Sequence, residues 1–113
     1  MTDEPTGIRN PGAIDAISVG EDGVVELHVE QTTPWDGSDH LLLLTQEKLW
    51  TYLAYVADGD LARDHPHAES NFRVVVDVID EPDQRTAELL RRVAEELRRM
   101  GGTMFTRRMP ADR

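Results

Sequence analysis

The chain has 113 residues, 39% of them hydrophobic and 30% charged, with a formal net charge of −10 at pH 7 and no cysteine. This composition fits one soluble globular domain and excludes a disulfide framework, a thiol nucleophile and a thiolate metal site. The acidic charge repels nucleic acid and anionic membrane, so neither is an expected partner. The first twelve residues lack a signal-peptide core, and the longest apolar run, residues 41–44, is too short to cross a bilayer. We expect a cytoplasmic protein.

The charge is unevenly distributed along the chain. Residues 1–70 contain 14 acidic and 3 basic residues, whereas residues 71–113 contain 8 and 9. The acidic part favours a basic protein partner, although acidic surfaces also serve solubility alone.

Two strands are predicted near the N-terminus, after a disordered tail over residues 1–12 that is rich in proline and glycine. The first strand covers residues 13–20. An Asp22-Gly23 turn then predicts a hairpin, because glycine tolerates the positive φ of a tight turn. The second strand covers residues 24–30 and alternates apolar with polar side chains.

Two helices and a third strand follow. The first helix is predicted from about residue 39 to residue 57, and an irregular polar connection, with at most one helical turn, follows it. The third strand covers residues 72–79, and the second helix runs from about residue 83 to residue 100, ending at two glycines. The remaining residues form either a short last strand or a flexible tail.

The fold class is therefore α+β, in the order ββαβα with or without a final strand. We predict a single domain over residues 13–102, built on a three- or four-stranded, mainly antiparallel sheet. Both helices pack on one face of the sheet, because each has an apolar stripe that must be covered. The expected strand order is 2-1-3.

Several segments resemble a family of small bacterial proteins of unknown function over roughly residues 13–100. They are Ile14-Asp15, Trp35, His40-Leu41, the run Gln46-Glu47-Lys48-Leu49 with Tyr52-Leu53, and the Phe72 strand leading into Glu81-Pro82. The resemblance implies an α+β fold and brings no activity and no functional residue with it. Trp50 departs from the smaller or polar residue expected at its position in that family.

The solvent-facing side of the sheet is one candidate site. Glu26, His28 and Glu30 project together from the second strand, near Arg73 and Asp77 of the third. Carboxylates beside a histidine can serve acid–base chemistry or hold a metal ion. A solvated sheet face shows the same alternation of charge, and it is the commoner explanation.

Two further candidates are histidines in or beside loops. Asp64, His65 and His67 lie in the acidic connection with Asp58, Asp60 and Glu69, where histidine and carboxylate together suit Zn²⁺. Their spacing matches no helical pair and no calcium loop, so a plain acidic loop is the competing explanation. His40, beside Asp39 and near Trp35, suits either catalysis or a local contact at the helix start.

The first helix has two apolar stripes. One is broad and contains Leu41, Leu42, Leu49, Tyr52, Leu53 and Val56; the second lies on nearly the opposite side and contains Leu43, Trp50, Ala54 and Ala57. One sheet cannot cover both sides of a helix. The second stripe is therefore a partner surface, with Trp35 at its edge, unless another segment of the chain folds over it.

These patterns favour a protein–protein interaction or accessory module over an enzyme. It is either a homodimer or an acidic binder of a basic partner, immunity-like or antitoxin-like in character. The interface residues are Leu43, Trp50, Ala54 and Trp35. The alternative is a small enzyme or metal-dependent binder that uses Glu26, His28 and Asp77. No cofactor is expected, because the sequence has no phosphate-binding loop, nucleophile elbow or zinc-protease motif.

Overall fold

A computed structural model describes residues 8, 10–31, 34–66 and 71–109. The strands are β1 (Ala16–Val19), β2 (Val25–Gln31), β3 (Phe72–Val78) and β4 (Gly102–Arg108). The helices are α1 (Asp39–Ala57), the short α2 (Asp60–Asp64) and α3 (Gln84–Arg99). The α+β class is confirmed, and the final strand that the sequence left open is present.

The four strands form one mixed sheet in the order β1-β2-β3-β4. β1 pairs antiparallel with β2 through the predicted hairpin, whereas β3 runs parallel to both β2 and β4. The polypeptide returns to the same end of the sheet through α1 before β3 and through α3 before β4, as parallel neighbours require.

The predicted mainly antiparallel sheet and the order 2-1-3 are therefore wrong. Strand length and burial explain the difference. β1 has four residues, all exposed, whereas β2, β3 and β4 have seven each, and β2 and β3 are largely buried. A long buried strand must satisfy its backbone on both edges along its whole length. β1 is too short to do so for β3, whereas β2 and β4 match it residue for residue.

One hydrophobic core lies between the sheet and the two long helices. Alternate residues of β2 and β3 face it, together with one stripe of each helix. The stripes are Leu41, Leu49, Tyr52 and Leu53 on α1, and Leu89, Leu90, Val93 and Leu97 on α3. Ser38 and Asp83 cap the helices by accepting hydrogen bonds from the backbone N–H of residues 41 and 86. Because both helices cover the same sheet face, the other face is left without a covering helix.

A buried polar network ties α1 to the first strands. Lys48 Nζ lies 2.6 Å from Asp15 Oδ1, and both side chains are fully buried. The same ammonium donates to the carbonyls of Asn10 and Ala13 at 2.9 and 2.6 Å. Tyr52 donates through its hydroxyl to the carbonyl of residue 28 and accepts from the backbone N–H of Asp15. Burial raises the pKa of Tyr52.

Part of the segment predicted as a disordered tail belongs to the folded domain. Ile8 is 1% exposed and lies in the core, and the carbonyl of Pro11 accepts a hydrogen bond of 2.6 Å from Thr51. The carbonyls of Asn10 and Ala13 also accept hydrogen bonds from the buried ammonium of Lys48, which ties this segment to α1. Within the described part of the chain, no helix has the length and hydropathy to span a membrane.

Candidate functional site

The uncovered sheet face contains a hydrogen-bonded chain of polar side chains. His28 of β2 places Nδ1 2.9 Å from Oδ2 of Asp77, which lies on β3. The other ring nitrogen, Nε2, is 2.8 Å from Oγ of Ser18 on β1. His28 is 9% exposed and Asp77 is 7% exposed, whereas Ser18 is exposed. Serine, histidine and aspartate thus stand in sequence, with both histidine nitrogens engaged.

Charged side chains flank the hydrogen-bonded series of Ser18, His28 and Asp77 on both sides. Arg107 of β4 donates through Nε to the second carboxylate oxygen of Asp77, at 3.0 Å. Glu26 places Oε1 3.6 Å from Nε2 of His28. Glu26 also pairs with Arg73, whose guanidinium reaches Asp22 in the hairpin turn at 2.5 Å. The hydrogen bond from Arg73 lowers the pKa of Asp22, with a further contribution from the backbone N–H of residue 24.

A groove of about 560 Å³ opens over the serine, histidine and aspartate. Its lining residues are Ala16, Ser18, His28, Glu30, Asp77, Arg107, Arg108 and Met109. This volume lies in the range of small-molecule sites. The groove therefore joins an exposed hydroxyl, a histidine base and two arginines in one space.

The structure places Glu26, His28 and Asp77 together, as the strand faces predicted, and it adds Ser18 and Arg107, which the sequence analysis did not include. The position of Ser18 could have been predicted, because the hairpin pairs it with Glu26 and so places it diagonal to His28. Arg107 depended on β4 being a strand beside β3, which the sequence left undecided.

The outer side of α1 carries the second stripe predicted for that helix. Trp50 is 62% exposed and Leu43 is 58% exposed, and Ala54 is also exposed. One groove of about 500 Å³ runs along α1 between Leu43 and Ala54. Another, of about 560 Å³, lies between Trp50 and α3. Among the described residues, none packs over this stripe to bury it.

Trp35 lies apart from that surface. It is partly buried against the core and donates through Nε1 to the carbonyl of Asp80, at 3.2 Å. Neither groove beside Trp50 includes it. His40 is exposed in the first turn of α1.

The predicted acidic connection is only partly described, since His67 and Glu69 lie outside the described residues. Asp64 accepts hydrogen bonds from Tyr55 at 2.9 Å and from Arg63 at 3.2 Å. These two contacts, Tyr55 first, lower the pKa of Asp64. Over the described ranges, no group of three histidine or carboxylate side chains is arranged to hold a metal ion.

Residues 6–109 match a family model described as a family of unknown function (DUF6572). No curated protein and no solved structure matches the chain. The predicted resemblance to a family of unknown function is confirmed, over a slightly longer segment than residues 13–100.

Proposed function

We propose that this chain, which belongs to the DUF6572 family of unknown function, is a protein–protein interaction module. It forms a homodimer through the outer side of α1. The observation that carries this proposal is the exposure of Trp50 and Leu43, at 62% and 58%, on a helix whose other side is fully used by the core. Leaving a Trp side chain in water forfeits the free energy of its burial, and such residues are enriched at interfaces.

The spacing of the stripe supports a second copy as the occupant. Leu43 and Ala54 are equally far from the point midway between residues 48 and 49, and so are Glu47 and Trp50. Two antiparallel α1 helices related by a twofold axis at that point would place Leu43 against Ala54 of the second copy. A large side chain would then meet a small one at each end of the contact.

The same register supplies a polar partner for Trp50. Its indole N–H would lie beside Glu47 of the second copy, and a carboxylate accepts such a donor. The twofold axis repeats this contact on the other side. The stripe thus contains both halves of each proposed contact, as a surface that pairs with itself requires.

Charge favours a second copy over a basic partner at this surface. The two grooves beside Trp50 are lined by three acidic and two basic side chains: Glu47, Glu95, Glu96, Arg92 and Arg99. They are therefore nearly neutral, although the whole chain carries −10. A basic partner, immunity-like or antitoxin-like, would be attracted to the acidic remainder of the surface instead.

Sedimentation velocity over a range of concentrations tests the proposal. The wild type is expected to sediment as a dimer that dissociates on dilution, and Trp50→Glu is expected to sediment as a monomer. Val19→Glu is the matched control, because Val19 is 61% exposed but lies on the sheet edge. A wild type that stays monomeric, or a dimer that survives Trp50→Glu and is lost in Val19→Glu, contradicts the proposal.

A further inference from the structure

We infer that Ser18, His28 and Asp77 form a nucleophilic site that hydrolyses small esters, with Arg107 and Arg108 favouring substrates that carry a negative charge. The site lies on the sheet face opposite the helices, so it is independent of the proposed dimer surface. It would give the module an activity in addition to self-association.

The hydrogen bonds assign each residue a role. Because a carboxylate only accepts, the 2.9 Å contact with Asp77 places the ring proton of His28 on Nδ1. Nε2 is then free to accept from the Ser18 hydroxyl at 2.8 Å. This is the contact that a serine nucleophile makes with its base. Asp77 acts as a positioning residue, and its second oxygen is held by Arg107 at 3.0 Å.

The three residues also differ in their exposure to solvent. Ser18 is exposed on the edge strand, where an ester can approach it, while His28 and Asp77 are buried. Burial fixes the ring and its carboxylate in one orientation, which reduces the reorganisation needed during reaction. On an ordinary solvated sheet face, a histidine between two neighbouring strands would not need to be fixed in one orientation.

The proposed reaction has two stages, acylation of Ser18 and hydrolysis of the acyl-serine. The Ser18 oxygen attacks the acyl carbon, and its proton passes to Nε2 of His28. The tetrahedral intermediate then expels the leaving oxygen, which takes that proton and departs as an alcohol. Water attacks the acyl-serine in the same way, giving up one proton through His28 to the serine oxygen and releasing a carboxylic acid. Glu26, with Oε1 3.6 Å from Nε2, stabilises the imidazolium that forms in each step.

The groove walls define the substrate class. Arg107 and Arg108 line the β4 side of the groove, across β2 and β3 from Ser18, and a guanidinium binds carboxylate or phosphate groups well. The Arg107 side chain is 50% exposed while it holds Asp77, so solvent or a ligand can reach it. Small esters that carry a carboxylate or a phosphate group are therefore preferred over neutral ones.

A fluorophosphonate probe followed by intact-mass spectrometry tests the nucleophile in the full chain. The wild type is expected to gain one adduct, which peptide mapping assigns to Ser18. His28→Gln is expected to react at least about 100-fold more slowly, the loss expected when a general base is removed. Thr103→Ala is the matched control, because it removes an exposed hydroxyl on the same sheet face, outside the groove.

Three results would overturn the inference: no adduct on the wild type, an adduct on another residue, or equal labelling of Ser18 in His28→Gln. Each result would mean that the hydrogen bonds joining Ser18, His28 and Asp77 only stabilise the sheet. For the substrate class, hydrolysis of p-nitrophenyl hydrogen succinate is compared with that of p-nitrophenyl acetate. Arg108→Gln is expected to raise KM for the succinate ester more than KM for the acetate; an unchanged ratio of the two KM values contradicts the assignment of Arg108.

Discussion

Lys48 and Asp15 form an ion pair of 2.6 Å in which neither side chain has any exposure to solvent. Burying two charges is costly, and removing one partner of such a pair costs more than the pair itself contributes. We therefore predict that Lys48→Met lowers the free energy of unfolding by about 3–5 kcal/mol. Urea unfolding followed by circular dichroism measures this loss.

The double variant Lys48→Met with Asp15→Asn is the control for charge. It removes the negative charge together with the positive one, so it is expected to recover part of the lost stability. If the free energy of unfolding of Lys48→Met is within about 0.5 kcal/mol of the wild-type value, as for an ordinary surface substitution, the ion pair does not stabilise the core.

Gly102 is required by the ring that packs over it. A Cβ at this position would lie 2.4 Å from two ring carbons of Phe72, which is 2% exposed. Gly102→Ala is therefore predicted to destabilise the fold by about 1–3 kcal/mol, since the ring must shift within a packed core. Gly12→Ala is the matched control, because a Cβ there meets nothing within 4 Å. Equal melting temperatures for the two variants contradict this account of Gly102.

Tyr55 should ionise at unusually high pH. Burial, followed by the hydrogen bond to Asp64, raises its pKa from 10.0 to about 12. A group whose pKa is raised on folding contributes stability below its unfolded pKa and loses it as pH rises toward the folded value. The contribution of Tyr55 is thus complete below about pH 10 and is lost between about pH 10 and 12.

Ultraviolet titration of tyrosinate absorbance measures this shift. In Asp64→Asn, the pKa of Tyr55 is expected to fall toward its ordinary value, because the carboxylate charge is gone. Buried Tyr52 should respond little to this change, because burial is the main cause of its raised pKa. An unchanged titration curve in Asp64→Asn would show that the hydrogen bond does not influence Tyr55.

Trp50 should report on dimer formation through its fluorescence. In Trp35→Phe it is the only remaining tryptophan of the chain. Its emission is expected to shift to shorter wavelength as protein concentration rises, because the proposed contact removes the ring from water. Trp50→Phe, which leaves Trp35 against the core, is expected to show no such dependence. A concentration-independent spectrum in Trp35→Phe contradicts burial of Trp50 between two copies.

Local patterns were enough to place most elements along the chain. The first helix was predicted over residues 39–57 and lies there, because its apolar spacing and its capping residues are all close in sequence. The stripe of Leu43 and Trp50 was also predicted, since it depends only on helix geometry. The strand order was not predictable in this way, because both orders satisfy the same apolar faces.

The candidate site shows the same division between local and long-range information. His28 and Asp77 were grouped from the predicted faces of two strands, although they are 49 residues apart. Ser18 was missed because its role depends on a diagonal contact across a hairpin, and Arg107 because it depends on the parallel pairing of β4 with β3. Such contacts follow from register, which composition and periodicity do not specify.

The homodimer is tested most directly by disulfide trapping, since the chain has no cysteine of its own. Leu43 and Ala54 lie eleven residues apart on one helix, about 16 Å, too far for a disulfide within one chain. The proposed register places Leu43 against Ala54 of the second copy. Leu43→Cys combined with Ala54→Cys is therefore expected to give a covalent dimer on mild oxidation, whereas either single variant gives little. No covalent dimer, or equal yields from the double and single variants, would contradict the antiparallel pairing of α1.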